Sequence, residues 1–296
     1  MNASSYRPLH DLPPLAGLAT FEAAQRPGLS VEECVRRLKR YHYAFKRLHE
    51  IYLARLTAEP IYELKMAFSL HAHYCAEHVV ALRQRVGEMR EPPLGLDAVP
   101  DPALEIFFDE ILCAPTTEEL LIGIYGVAMP NFREALGRHA TESNPLADAP
   151  SIRVCKFAHI EAEEMGDWGD SALCVLSDRG SAQTGCDGVT CELYFIMCLS
   201  AAGGIDGTEE RIPNPLPRRY SAQPFPYDRI PKRDERFPDP YNMGVNAEAF
   251  LYDASQPVEP KVLMMFYKRL REIDVPEMMA SIITETRASR GDTIAT

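Results

Sequence analysis

The sequence predicts an all-α protein, an antiparallel four-helix bundle with additional C-terminal helices and a proline-rich arm. Three observations carry that expectation. Apolar residues recur at alternating steps of three and four over four segments of roughly 25 residues. Two of these segments open on a hydroxyl residue followed three positions later by Glu, the pattern of a helix N-terminus. The segments are joined by short connections rich in Pro, Asn and Gly, which makes antiparallel packing of neighbours the natural solution.

The first helix opens on Ser30 and Glu33. Its stripe is Val35, Leu38, His42, Phe45, His49, Tyr52 and Leu56, and it stops near "TAEP" because the residue before Pro60 is pushed out of helical geometry. A second helix runs from about Ile61 to Met89 and ends at "REPPLG". The short segment "PALEIFFDEILC" follows. Thr116 and Glu119 then open a helix reaching about His139, with a kink expected at Pro130. "SIRVCKFAHIEAEEMGDWGDSALCVL" is the fourth.

Beyond it, "SDRGSAQTGCDG" is turn-like, and "VTCELYFIMCLSAAGG" is apolar enough for a buried helix or a strand, with helix favoured by its neighbours. The stretch 212–244 holds eight prolines and alternating charge, as expected of an extended arm or linker. Helical spacing returns in "EPKVLMMFYKRLREIDVPEMMASIITETR", where Pro276 begins a new helix, and "ASRGDTIAT" reads as a frayed end. The organisation is therefore an N-terminal extension over 1–29, a helical bundle over 30–178, an irregular segment with one apolar helix and the arm over 179–257, and C-terminal helices over 258–296.

The chain has 296 residues, 46% hydrophobic and 25% charged, an ordinary globular composition with room for a sizeable core. Its net charge of -12 works against nucleic acid and against an anionic membrane as main partner, since both need concentrated Lys and Arg; a homo-oligomer is compatible with it. No apolar run approaches the roughly 20 residues of a membrane span, and the N-terminus lacks the basic and apolar regions of a secretory signal, so the expected location is cytoplasmic. Eight scattered cysteines form no C-x-x-C pair and read as reduced, buried small hydrophobes.

Chemistry enters through polar groups on the apolar stripes. In "HAHYCAEH", His71, Cys75 and His78 fall in the seam Leu64, Phe68, His71, Cys75, His78, Leu82, Val86, Met89, while His73 and Glu77 face elsewhere. His42 and His49 lie two turns apart on the first helix. Phe157, Glu161, Glu164 and Trp168 share a face of the fourth, which sets two carboxylates in an apolar neighbourhood where they need a cation, a proton or a metal. His42, His49, His71, His78, Glu161 and Glu164 are thus candidate metal ligands at a bundle interior. The alternative reading is a set of hydrogen-bonded core histidines and a solvated acidic face. No catalytic residue is assigned.

With these residues in view, the chain resembles the ferritin-like superfamily, in particular its rubrerythrin-like and tRNA-hydroxylase-like bacterial members. "PIYELKMAFSLHAHYCAEH" is similar to the family helix that ends in E-E-A-R-H, with Cys75 at the position of the Glu and His78 at that of the His. "LREIDVPEMMASIITETR" resembles the preceding Glu-bearing helix, with Glu277 as its carboxylate and an incomplete second ferritin-like unit as the implication. The sequence contains no E-x-x-H, so a complete dinuclear site cannot be written from it. The resemblance implies iron or manganese as cofactor and a metal-dependent oxidoreductase using dioxygen. The residues equally allow no cofactor at all, in a non-catalytic helical scaffold or interaction protein, and a third reading holds haem non-covalently between stripe histidines such as His49 and His78.

Overall fold

The computed structural model describes residues 9–89, 94–178, 188–212, 216–236, 247–288 and 294–295. They are mostly helical: α1 (Phe21–Gln25), α2 (Val31–Ala58), α3 (Tyr62–Glu88), α4 (Pro102–Leu112), α5 (Thr117–Leu121), a π-helical stretch Ile122–Ala128, α6 (Met129–Glu142), α7 (Ala149–Asp178), α8 (Gly188–Ala201), α9 (Ala247–Tyr252), α10 (Val258–Arg271) and α11 (Asp274–Ala288). A two-residue parallel pairing joins β1 (Phe225–Pro226) to β2 (Ile294–Ala295). The described arm residues 216–236 carry no helix, and "VTCELYFIMCLSAAGG" is helical as expected. The turn-like 179–187 and most of "ASRGDTIAT" lie outside the described residues.

Local chemistry explains the boundaries. Ser30 Oγ accepts the Glu33 amide at 3.2 Å, but the Glu33 carboxylate turns to the guanidinium groups of Arg36 and Arg37. Asp101 caps α4 through the Ala103 amide, and Thr116 caps α5 through the amide of Glu119. Just before Pro130 the helix passes through the π-helical stretch, closed by a Met129 amide bonded to the Ile124 carbonyl five residues back. That wider turn removes the need for the amide that proline lacks.

The chain divides into two compact units, one of residues 1–48 and 74–222, the other of 49–73 and 223–296. In the first unit α2 runs antiparallel to α6, since Arg37 pairs with Glu142, Tyr41 donates to the Ala135 carbonyl, and Phe45 meets Phe132 at 4.3 Å between ring centres. α3 runs antiparallel to α7, with His78 at Glu161 and Arg85 donating to Ser151. α6 packs along α7, α4 packs on α8, and the π stretch touches α5 to α8. Three carboxylates of α4 and α5 hold the start of the arm. Glu110 accepts the amides of Arg219, Tyr220 and Ser221, Asp109 binds Arg47 and Arg218, and Glu119 accepts the Tyr220 hydroxyl.

In the second unit α2 and α3 again run antiparallel: Leu56 accepts from Lys65, Tyr52 meets Phe68 and His71, and His49 meets the Ala72 carbonyl. Residues 232–236 lie along this hairpin, with the Lys232 amide on the Thr57 carbonyl and Arg236 bidentate on Glu63.

Small residues decide how α7 sits. Its buried stripe is Ser151, Cys155, Ala158, Ala162, Met165 and Gly169, and a Cβ at Gly169 would come within 2.1 Å of the Tyr125 ring. Gly169→Ala is therefore expected to destabilise the protein by about 1–3 kcal/mol. Gly166 has nothing within 4 Å of an added Cβ, so Gly166→Ala should stabilise it by about 0.5–1 kcal/mol. Urea midpoints of the two variants, moving in opposite directions, check both.

Candidate functional site

The seam expected on α3 is where the sequence places it. Leu64, Phe68, His71, Cys75, His78, Leu82 and Val86 are buried, and His73 and Glu77 are exposed. His78 stacks on Phe45 with ring centres 4.7 Å apart and sets Nε2 2.7 Å from Glu161 Oε2, a close contact between α3 and α7. Burial lowers the His78 pKa against the opposing pull of Glu161. Cys75, fully buried one turn away, has its thiol pushed well up by burial and by the Glu161 charge, which leaves it a poor nucleophile and a poor ligand.

The other candidates do not join this pair. Glu164 is exposed and so is Phe157, whose ring lies under the Arg153 guanidinium. The face of α7 expected to point inward is thus largely outward, because the stripe of small residues allows closer helix packing than the large side chains would. His42 belongs to the same unit as His78 but neither of its ring nitrogens has a hydrogen-bond partner. His49 and His71 belong to the other unit. There His49 Nδ1 is 2.9 Å from the Ala72 carbonyl and His71 lies edge-on to Tyr52. Among the described residues no three His, Cys, Asp or Glu side chains are gathered as a metal-holding group.

Two buried features escaped the sequence reading. His139 is fully buried against Tyr41 with both ring nitrogens lacking a hydrogen-bond partner. Lys65 is also fully buried, donating to the Leu56 carbonyl at 2.9 Å and to Glu277 Oε1 at 2.8 Å, while Arg233 binds both Glu277 and Asp274. The signal was available: Lys65 sits at helical spacing from Phe68, Ala72 and Cys75, and Glu277 from Ala280 and Thr284, so each is a charge on a buried stripe. Glu277, the carboxylate the family resemblance would offer to a metal, is held by two cations of the protein itself.

The described residues therefore do not fit a dinuclear metal centre: His78 meets Glu161, Cys75 is neutral beside it, and Glu277 is already held by Lys65 and Arg233. Compared with known proteins, the chain matches no family model, no curated protein and no solved structure. No described helix is long and apolar enough to cross a membrane.

Burial holds His42, His71 and His139 at about 4, well under the ordinary imidazole value of 6.5. A histidine with a depressed folded pKa binds fewer protons than its unfolded counterpart, so its stability is intact above pH 6.5 and is lost as pH falls toward 4. The urea midpoint is expected to fall across that window, and His139→Phe to flatten the fall. The second expectation concerns Lys65. Lys65→Ala removes one of the two cations that hold the buried Glu277 and should cost about 1–3 kcal/mol, whereas Glu277→Leu takes the carboxylate from both buried cations and should cost about 3–5 kcal/mol, as urea midpoints of the two variants would read.

Proposed function

We propose that the chain is a non-catalytic helical scaffold of ferritin-like descent, in which the positions of a former metal centre serve as core. The pairwise directions support the descent: α2 is antiparallel to α6 and α3 to α7, with α4 and α5 lying between α3 and α6 in the chain, which agrees with a four-helix bundle having one crossover. In ferritin-like proteins, inward carboxylates from two helices meet E-x-x-H pairs from the other two.

One observation carries the scaffold reading. At the level where His78 of α3 meets Glu161 of α7, the helices α2 and α6 supply Phe45 and Phe132, packed edge to face at 4.3 Å, with the His78 ring 4.7 Å from that of Phe45. Two aromatic rings stand where two carboxylates would be needed, and such a pair contributes packing energy rather than ligand atoms.

A second reading, a metal-dependent oxidoreductase, is favoured by one observation, the contact of His78 with Glu161 beside Cys75. In that case the two side chains would hold an iron or manganese ion that supplies redox chemistry. Metal analysis of protein purified without chelator separates the readings. The scaffold predicts less than about a tenth of an equivalent of iron, manganese or zinc, and His71→Gln with His78→Gln is expected to lower the urea midpoint while leaving that content unchanged. Stoichiometric metal that disappears in the double variant would overturn the scaffold.

A further inference from the structure

Within the second unit the arm is tied to α11 at two points. The Tyr227 hydroxyl meets Ser281 Oγ at 2.7 Å, and Arg233 binds both Asp274 and Glu277. Between these ties the two segments border a cavity of about 330 Å³, at the small end of the roughly 300–1,000 Å³ range of ligand sites. Its walls are hydrocarbon, from Pro231 of the arm and from Val275 and Met278 of α11. Pro231 is buried, while Val275 and Met278 are 53% and 56% exposed. They belong to an outward stripe with Met279 and Ile282, on a helix that buries Ile273, Glu277, Ala280 and Thr284 instead. The polar part of the lining is rich in acceptors. Asp274 and Glu285 each meet an arginine, Arg233 and Arg229, through one oxygen, and among the described residues no hydrogen bond uses the second oxygen of either.

We propose that this cavity binds a small primary alkylammonium ion, its hydrocarbon chain against Pro231, Val275 and Met278 and its nitrogen donating to the open oxygens of Asp274 and Glu285. Three features select that class. A carboxylate accepts most strongly from a charged N–H donor, and a primary ammonium has three donors to share between two carboxylates. The arginines beside the cavity already meet those carboxylates, and the net charge of -12 favours a cation over an anion. The apolar wall favours an organic cation over a hydrated metal ion, and no three His, Cys, Asp or Glu side chains among the described residues are gathered to hold a metal. The site shares no residue with the contact of His78 and Glu161. It therefore goes beyond the scaffold reading, and ligand binding and metal content can each fail alone.

Hexylammonium, hexanoate and hexanol, added separately to the full chain with isotope-labelled methionine methyl groups, test it by NMR at neutral pH. The Met278 resonance, identified by its loss in Met278→Leu, is expected to shift saturably with hexylammonium, with a dissociation constant of about 1 mM or tighter. Hexanoate brings the wrong charge and hexanol lacks the charged donor, so both should bind at least about tenfold more weakly. Val275→Trp fills the cavity from a position exposed enough to accept it, and should weaken hexylammonium binding at least about tenfold while the helical circular dichroism is kept. The comparison of three probes uses the native chain and stands whether or not that variant folds. A Met278 resonance that does not saturate with hexylammonium, hexanoate or hexanol binding as tightly, or a folded Val275→Trp that binds as well as the native chain would each overturn the proposal.

Discussion

Helix α2 is buried on nearly every side, and the charges it carries into that environment constrain much of the first unit. A desolvated guanidinium is costly unless its donors are met, so the buried Arg37, Arg40 and Arg47 of α2 each draw in another segment, while the more exposed Arg36 stays on Glu33 of its own helix. Arg40 is held by Asp101 and by the carbonyls of Ala202, Gly204 and Ile205, which fixes the loop after α8, and Arg47 meets Asp109, the residue that also binds Arg218 of the arm. Gly203, Gly204 and Gly207 take positive φ in this loop, and a Cβ at Gly207 would meet the Arg36 and Arg40 guanidinium groups within 3 Å. The second unit obeys the same rule with Lys65, Glu277 and Arg233.

The histidines follow a different logic. His71, His78 and His139 are buried against aromatic rings, and burial lowers their pKa, which lets an imidazole serve as a flat, partly polar core residue. His78 is the exception because a carboxylate reaches it. His78 differs from His42 and His139 in that a carboxylate, Glu161, stands 2.7 Å from its Nε2. That difference also explains why residue type alone overstated the candidate ligand set.

Much of the helical frame was legible in the sequence, since Ser30, Thr116, Pro60 and Pro276 act through nearest-neighbour geometry that needs no tertiary context. The seam of α3 was legible for the same reason: His71, Cys75 and His78 are buried, and His73 and Glu77 are exposed, as a period of 3.6 requires. The face of α7 was not. Its periodicity allowed two stripes, and the chain buries the one built of Cys155, Ala158, Ala162 and Gly169 because close approach to Tyr125 outweighs the larger area of Phe157. Which of two apolar stripes is buried depends on the shape of the partner helix, and α11 shows the same ambiguity with its more apolar stripe turned to solvent.

What the sequence determined by itself was local: where helices begin and end, which residues share a face, and that no E-x-x-H pair is present. What only the tertiary structure decided was company. Phe45 and Phe132 facing each other beside His78, Glu277 enclosed by Lys65 and Arg233, and the outward seam of α11 all arise from residues distant in sequence, and helical periodicity carries no information about which distant residue supplies the neighbouring charge or ring.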